Sequence, residues 1–390
     1  MPTNSPRPVI AECLEYPIDC FGGTEVLVAK LIALLHRDFE IVLVSPDPDI
    51  TKSPIREYVS HHLPWQPEKA DRAAAKELVA QLQRLEVATA HFHLGGTFAW
   101  SGRKSGDSPV VCAAEAGLRV FTTNHGFFSP LEGYCAFYRP LWMKLALFPL
   151  AWISKLRALH CVQREICVSD FDKNSMRKWY PPAREKFQRI YHSQLPAQDA
   201  PNLPIERARR IVCIGTFGIR KGQQILAEAF GRVAASFPDW ELVFAGRVGD
   251  ESIWRAVENV RAQSGMENRI RHVQGLDHLE IADLMRTSEL FVMPSFFEGL
   301  GLALQEALYY GCACISTRSG GPADLIVDGD NGLLTPCGNV EALASALQRV
   351  MGDQILRERF RRRGPESIKE RQMNADAMAD EYRKLYTTTE

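Results

Sequence analysis

The stretch that decides the fold reads LFVM (residues 290–293) followed by PSFFEGLGLALQEA (residues 294–307). Four apolar residues before a proline predict a short buried strand, and the apolar spacing at the end predicts a helix beginning near Leu302. Between them, Gly299 and Gly301 allow the backbone to approach a ligand closely. The free amides of Gly301 and Leu302 at the helix start predict an anion site.

The same alternation of strands and helices extends in both directions from this segment. Further strands are expected at 9–14, 41–44, 87–92, 118–122, 210–214, 241–244, 270–273 and 312–316. Helices are expected at 26–35, 73–85, 223–235, 251–263, 279–285, 302–308 and 374–386. Strands that alternate with helices predict parallel sheets covered on both faces. Ligands of such sheets bind outside the carboxyl ends of the strands.

The chain is too long for one domain, since single cores stop growing at about 250 to 300 residues. Residues 195–204 lack periodicity and contain proline, alanine and glutamine, so we place the boundary there. The prediction is an α/β protein with two Rossmann-like, doubly wound domains that face each other across a cleft. They comprise residues 1–198 and 199–370.

Composition excludes several classes of protein. Lys and Arg number 46 against 47 Asp and Glu, so the net charge of −1 predicts no nucleic-acid partner. The first ten residues lack a basic start and an apolar stretch, which predicts a cytoplasmic protein without a signal peptide. Ten cysteines without a Cys-x-x-Cys pair are expected to be reduced core residues.

Two carboxylates in the deciding stretch suit a sugar-containing ligand. Glu298 lies at the turn and Glu306 about two helical turns further on. Carboxylates accept hydrogen bonds from vicinal hydroxyls, while helix amides bind phosphate. One elongated ligand with sugar, ribose and diphosphate would use both acids and the amides.

This Phe-Glu-Gly-Leu-Gly-Leu segment with its second glutamate resembles the signature of the retaining GT-B glycosyltransferases of family 4, and the resemblance covers nearly the whole chain. It implies that Glu298 contacts donor-sugar hydroxyls and Glu306 binds the ribose. The amides of Gly299, Gly301 and Leu302 would hold the diphosphate. The resemblance also implies a C-terminal helix, within 371–390, that returns to the first domain.

A second segment, IGTFGIRKG (residues 214–222), again predicts a strand, a loop and a helix. Lys221 is expected to bind the donor diphosphate and to offset charge on the departing nucleotide. The family usually has an arginine where Thr216 stands. Arg220 is expected to supply that charge, with a plain surface role as the alternative.

In the first half, Gly22 and Gly23 open the first helix, with Thr24 as its expected cap. They resemble the glycine pair that faces diphosphate and acceptor in the family, although such a turn is also ordinary helix initiation. His125 follows the predicted strand 118–122. The resemblance implies that His125 lines the reaction centre, binding donor hydroxyls or orienting the acceptor.

Two patterns raise the question of a metal. Asp47 and Asp49 resemble the Asp-x-Asp manganese site of GT-A glycosyltransferases but lack the surroundings of that fold. His91 and His93 point the same way from one strand, yet the sequence shows no third ligand. We therefore expect no metal site and no cofactor, only a nucleotide-sugar co-substrate.

Residues 139–186 carry ten basic and four acidic side chains, and 141–155 is apolar with Trp142 and Trp152 near its ends. The run 145–153 is too short to span a bilayer, which requires about 20 residues. An interfacial helix and a buried, kinked helix are both consistent with it. Peripheral membrane contact through 139–159 is the sharper of these hypotheses.

The resemblance implies transfer of a sugar from a nucleotide sugar, expected to be a UDP- or GDP-sugar, to a hydroxyl of a saccharide, lipid-linked or small-molecule acceptor. The resemblance implies retention of configuration and no divalent metal. His125, Lys221 and Glu298 are the expected catalytic residues. The alternatives are another GT-B enzyme, either an inverting transferase or an epimerase, and a degenerate transferase that acts as a nucleotide-sugar sensor or scaffold.

Overall fold

A computed structural model describes residues 6–18, 22–66, 71–94, 108–126, 140–198 and 206–388. The chain divides into two compact units. Unit 1 comprises Met1–Gln194 together with Ala375–Glu390, and unit 2 comprises Leu195–Asn374. Most of the expected boundary segment, from residue 199 onward, lies outside the described residues.

Unit 1 is built on a parallel sheet with the strand order β3-β2-β1-β4-β5-β6-β7. The strands are β1 Val9–Leu14, β2 Glu40–Ser45, β3 His61–Pro64, β4 Thr89–Leu94, β5 Arg119–Asn124, β6 Arg164–Cys167 and β7 Phe187–Arg189. The central strands are buried along nearly their whole length, as expected for a parallel sheet with helices on both faces.

The helices of unit 1 include one from the far end of the chain. They are α1 Gly23–Leu35, α2 Arg72–Arg84, α3 Pro109–Glu115, α4 Leu141–Cys161, α5 Asp170–Trp179 and α13 Ala375–Thr387. Helix α13 packs against α1. Arg383 of α13 donates to the carbonyl oxygen of Leu34 at 2.8 Å and contacts Asp38 at 2.7 Å. The C-terminal helix therefore belongs to the first unit.

Unit 2 has a second parallel sheet, in the order β10-β9-β8-β11-β12-β13. Its strands are β8 Ala208–Ile214, β9 Glu241–Ala245, β10 Ile270–Val273, β11 Ser288–Met293, β12 Ala313–Thr317 and β13 Leu333–Thr335. Its helices are α6 Gln223–Val233, α7 Glu251–Gln263, α8 His278–Arg286, α9 Leu302–Tyr309, α10 Pro322–Leu325, α11 Val340–Gly352 and α12 Gln354–Glu370. Both units are thus doubly wound α/β structures, as predicted.

The sequence patterns missed the shortest strands. β3, β6, β7 and β13 contain only three or four residues each, too few for an alternating or continuous apolar pattern to be recognised. Thr24 was wrongly predicted as a cap: Gly22 is the N-cap of α1, and no side chain caps it. The helix therefore starts two residues earlier than expected from a threonine cap.

The described cysteines are free, and most of them are buried in the cores. Cys337 is exposed, contrary to the expectation that all are core residues. Within the described residues, no helix is both long and apolar enough to cross a membrane. Helix α4 contains Pro149 and leaves several apolar side chains exposed. The segment predicted to contact membranes begins at residue 139, which lies outside the described residues.

Candidate functional site

The arrangement of strands in unit 2 marks one place for a ligand. Strand β8 lies between β9 and β11. From β8 the sheet continues through β9 and β10 on one side, and through β11, β12 and β13 on the other. Such a point, where the strand order reverses, opens a crevice at the carboxyl ends of the two neighbouring strands. The loop after β8 and the loop after β11 both begin there, and these loops contain the two motifs singled out from the sequence.

The two loops meet in an ion pair. The Nζ atom of Lys221 lies 2.7 Å from Oε1 of Glu298, and Ser295 donates its hydroxyl to the same oxygen at 2.6 Å. Burial alone would raise the pKa of Glu298, but Lys221, Ser295 and the nearby Arg220 outweigh it and lower that pKa. Glu298 is therefore a carboxylate at neutral pH, able to accept hydrogen bonds from hydroxyl groups.

Backbone contacts fix the position of Glu298. Its amide donates to the carbonyl oxygen of Ser319 at 2.8 Å, and Gly321 donates to its carbonyl oxygen at 3.1 Å. A Cβ atom on Gly321 would lie 1.9 Å from the carbonyl oxygen of Gly299, so only glycine permits this approach. The acid is thus clamped between the loops that follow β11 and β12.

The loop after β8 is held just as closely. A short 3-10 helix, Ile219–Lys221, ends at Gly222 in the left-handed conformation, with φ of +64°. The amide of Phe296 donates to the carbonyl oxygen of Arg220 at 2.7 Å. A Cβ on Gly222 would lie 2.3 Å from the carbonyl oxygen of Pro294. Glycine is therefore required here both by conformation and by space.

Thr216 and Arg220 lie on the same loop as Lys221. Gln223, at the start of α6, donates its side-chain amide to the carbonyl oxygen of Thr216 at 3.2 Å. The guanidinium of Arg220 lies 6.0 Å from the centre of the Phe297 ring. Arg220 also helps to lower the pKa of Glu298, so its charge acts on this site although Thr216 brings none.

Helix α9 supplies the remaining predicted groups of unit 2. Gly301 caps the helix with φ of +95°, and Leu302 is its first residue. Glu306 lies on the same helix and is half-buried, and burial raises its pKa from 4.5 to about 7. Among the described residues, no cation offsets this shift, unlike at Glu298. Glu306 is thus poised to change its charge near neutral pH.

In unit 1, the predicted residues lie at the carboxyl ends of parallel strands. Gly22 and Gly23 begin α1 after β1, and a side chain on Gly22 would collide with the Glu25 carboxylate, 2.0 Å from its Cβ position. His125 follows β5 directly. Its Nε2 atom lies 3.1 Å from Nδ1 of His93, and burial lowers its pKa well below the usual range.

The metal patterns have different outcomes. Asp47 accepts hydrogen bonds from the Ile18 amide at 2.8 Å and the Ser45 hydroxyl at 2.7 Å, so its carboxylate has a structural role. For His91 and His93, the structure supplies the third potential ligand that the sequence did not show. Glu12, on the adjacent strand β1, faces both rings. Their potential ligand atoms and that of Glu12 all lie within 4.8 Å of one another.

The sequence did not identify Ser295 or Glu12 as residues of the candidate sites. Ser295 stands three residues before Glu298, within the quoted motif, but a serine in a turn does not reveal its partner. Glu12 lies in an otherwise apolar strand, VIAECL, where an ionisable residue in a buried position is unusual. Such a residue indicates a polar partner on a neighbouring strand, which the one-dimensional pattern cannot identify.

Solved structures share this fold. The fold is similar to that of Anabaena Alr3699/HepE, solved in complex with UDP, with a TM-score of 0.77, 14% identity and coverage of 98% of this chain and 100% of that one. At this identity the likeness establishes the fold, which is the GT-B arrangement of two Rossmann-like domains.

Family models match both halves of the chain. The model described as glycosyl transferases group 1 matches residues 196–367, and that of glycosyltransferase family 4 matches residues 21–193. The protein therefore belongs to the group 1, family 4 glycosyltransferases.

Curated relatives agree over part of the chain. A lipopolysaccharide core biosynthesis glycosyltransferase, LpsE of Rhizobium meliloti, is 30% identical over 45% of this chain and 48% of its own length. A phosphatidyl-myo-inositol mannosyltransferase of Mycobacterium leprae is 30% identical over 43% of each chain. The chain thus spans about half the length of the curated relatives that it matches.

Proposed function

We propose that the protein transfers a sugar from a nucleoside-diphosphate sugar to an acceptor hydroxyl, with retention of configuration. The observation that carries this proposal is the Lys221–Glu298 pair, 2.7 Å apart, at the crevice between β8 and β11. A cation for phosphate and a carboxylate for sugar hydroxyls lie there side by side, close to the amides that begin α9. The UDP and UDP-glucose complexes of the Anabaena protein support a nucleotide-sugar ligand.

In the proposed reaction, the bond between the anomeric carbon and the phosphate oxygen breaks while the acceptor oxygen bonds to the same face of that carbon. The acceptor proton passes to the departing phosphate. Lys221, Arg220 and the amides of Gly301 and Leu302 offset the charge that grows on this phosphate. Glu298 holds the donor sugar, and Glu306 holds the ribose. Transfer in this scheme requires no divalent metal, so activity should persist in chelator.

The donor can be identified by thermal shift with UDP-, GDP- and ADP-sugars, since a ligand bound only by the folded protein raises its Tm. Product analysis with the best donor then determines the anomeric configuration. We expect the α- or β-configuration of the donor to be kept. An inverted product would contradict the retaining mechanism and favour another GT-B enzyme.

A degenerate, nucleotide-sugar-binding protein is the second candidate, because Thr216 stands where family members carry arginine. Slow hydrolysis of the donor separates the two. An active transferase should hydrolyse the donor in the absence of acceptor, and Glu298→Ala should abolish this. Binding without any hydrolysis or transfer by the wild-type protein would favour the sensor.

The acceptor is proposed to be a saccharide or a lipid-linked molecule, as the names of the relatives suggest. Helix α4 supports contact with a lipid surface, because Trp142, Leu145, Leu150 and Ile153 are each more than half exposed. Exposed apolar side chains on a helix in a basic segment suit the interface of an anionic bilayer. Cosedimentation with anionic vesicles tests this, with neutral vesicles as the control. Failure to bind at low salt would contradict it.

A further inference from the structure

A chain of hydrogen bonds in unit 1 links a buried acid to His125. Oε2 of Glu12 lies 2.8 Å from Nε2 of His93, whose other ring nitrogen, Nδ1, lies 3.1 Å from Nε2 of His125. Glu12 and His93 are fully buried, whereas His125 is only half-buried at the end of β5. The chain therefore runs from the interior of the sheet to the edge where ligands of such folds bind.

The second oxygen of Glu12 is occupied by a residue from the C-terminal helix. Tyr386 of α13 donates its hydroxyl to Oε1 of Glu12 at 2.9 Å and accepts a hydrogen bond from Nδ1 of His91. The other nitrogen of His91 accepts from the hydroxyl of Thr123 at 2.7 Å. Because Oε1 is already an acceptor, any proton on Glu12 must lie on Oε2, toward His93.

The groups around Glu12 favour an uncharged network. Burial raises the pKa of Glu12 to about 8, despite the opposing hydrogen bond from Tyr386, and it lowers the pKa of His93 to about 3. Although the Glu12–His93 distance suits an ion pair, burial therefore favours the neutral form of both groups. The other titratable groups packed here also stay neutral because of burial; they are Cys13, His91, His125, His192, Tyr382 and Tyr386.

When Glu12 is protonated, one arrangement of protons satisfies this chain. Oε2 of Glu12 carries a proton and donates it to Nε2 of His93. Nδ1 of His93 then carries a proton and donates to Nε2 of His125. His125, a neutral imidazole whose Nε2 is already an acceptor, must hold its own proton on Nδ1. Within the described part of the chain, that Nδ1 has no hydrogen-bond partner of its own.

We propose that Glu12 and His93 are positioning residues that hold His125 in the tautomer with the proton on Nδ1, so that it donates a hydrogen bond to an oxygen of the bound sugar. The assignment rests on the proposed role of His125 in sugar transfer. It explains why an acid and a second histidine, both buried, stand behind His125. A lone imidazole in water would exchange between tautomers, whereas this one is fixed before the ligand arrives.

The same side chains are close enough to be considered as metal ligands. The hydrogen bonds argue against this, since both nitrogens of His91 and of His93 and both oxygens of Glu12 already have protein partners. A metal ion would have to displace several of these bonds inside a closed core. Metal content is therefore measured as part of the test.

The direct test is NMR of the histidine rings in protein with ¹⁵N-labelled histidine, assigned with His125→Gln. Below pH 8, we expect the proton of His125 on Nδ1. Glu12→Gln should keep that tautomer, because its amide nitrogen can donate to His93 while its oxygen accepts from Tyr386. Glu12→Leu and His93→Phe should leave a mixture of tautomers. His91→Gln is the matched control: it lies in the same cluster but outside the chain, and should leave His125 unchanged.

Activity provides a second readout with the donor found by thermal shift. We expect Glu12→Leu and His93→Phe to lower kcat by about 10- to 100-fold, with little change in the rise of Tm that the donor causes. Glu12→Gln should keep most of the activity at neutral pH. In the wild type, ionisation of Glu12 above pH 8 should move the His125 proton to Nε2. In Glu12→Gln, that alkaline change should be absent.

Three results would overturn the proposal. The first is a His125 proton on Nε2 below pH 8 in the folded wild type. The second is an unchanged tautomer in both Glu12→Leu and His93→Phe, with circular dichroism confirming their fold. The third is stoichiometric metal that is lost in His91→Gln and His93→Phe alike. The NMR result requires no catalysis, so a correct tautomer in a protein without transferase activity would refute only the proposed function.

Discussion

The affinity for the donor should depend on pH through Glu306. This carboxyl is half-buried on α9, and burial raises its pKa to about 7. If it binds the ribose hydroxyls as proposed, only the ionised form can accept both hydrogen bonds. Protonation then competes with binding, so the affinity falls as the pH falls through 7.

The size of the effect follows from this pKa. The fraction ionised is about 0.9 at pH 8 and about 0.1 at pH 6, so the apparent Kd should rise about tenfold between them, or about 1.4 kcal/mol. At pH 7, where half of the molecules are protonated, binding should release about half a proton. Both values are upper bounds, since a neutral carboxyl retains one acceptor oxygen.

Calorimetry in buffers of different ionisation enthalpy measures both quantities. The titrant should be an intact nucleotide sugar, beginning with UDP-glucose, because a free diphosphate has its own group titrating near pH 6, as phosphate monoesters do. Glu306→Gln is the matched control, since it retains the shape but cannot ionise. We expect weaker binding by this variant, without the pH slope or proton release. An equal slope in wild type and variant would refute the assignment.

Three further substitutions test unit 2. Lys221→Met should lower kcat roughly 100- to 1,000-fold in steady-state assays; an unchanged kcat would exclude a role in leaving-group stabilisation. Gly222→Ala should reduce the free energy of unfolding by about 1–2 kcal/mol or more, since its backbone is left-handed and its Cβ would meet a carbonyl oxygen. Gly218→Ala, with extended backbone and open space, is the control for denaturant melts. Arg220→Ala should lose activity that Thr216→Arg partly restores; failure of this rescue would argue against a shared charge.

The sequence was sufficient for the fold because its main signals are local. Apolar runs such as LFVM and the spacing of helix residues depend only on neighbours along the chain. The strands that escaped prediction, such as β13, have three or four residues and form by pairing with a neighbouring strand. Thr24 failed as a cap because the helix already begins at Gly23, with Gly22 as its N-cap, so Thr24 lies inside the first turn.

The candidate site was predictable only in part. The motif around Glu298 predicted a ligand-binding loop, but the Lys221–Glu298 contact joins residues 77 positions apart. Sequence alone does not show which strands are neighbours, and it is the β8–β11 pairing that brings the two loops together. The same holds for Glu12 and His93, separated by 81 positions and joined by the β1–β4 pairing.

Three glutamates in this protein show how local partners decide the charge of a buried acid. Each loses hydration, which on its own raises its pKa. Glu298 has a lysine at 2.7 Å and a serine hydroxyl, and its pKa falls. Within the described residues Glu306 has no such cation, and its pKa is about 7, whereas the pKa of Glu12, among imidazoles and a tyrosine, rises to about 8. Because only Glu298 of the three stays charged across the neutral range, it is suited to hold sugar hydroxyls throughout that range. Acidification should therefore weaken ribose binding at Glu306 first, while alkaline conditions should change His125 through Glu12.

The rate of sugar transfer should consequently fall at both low and high pH. Glu306→Gln should remove the fall at low pH, and Glu12→Gln should remove the fall at high pH. A double variant whose rate still falls on both sides would show that other groups set the pH profile.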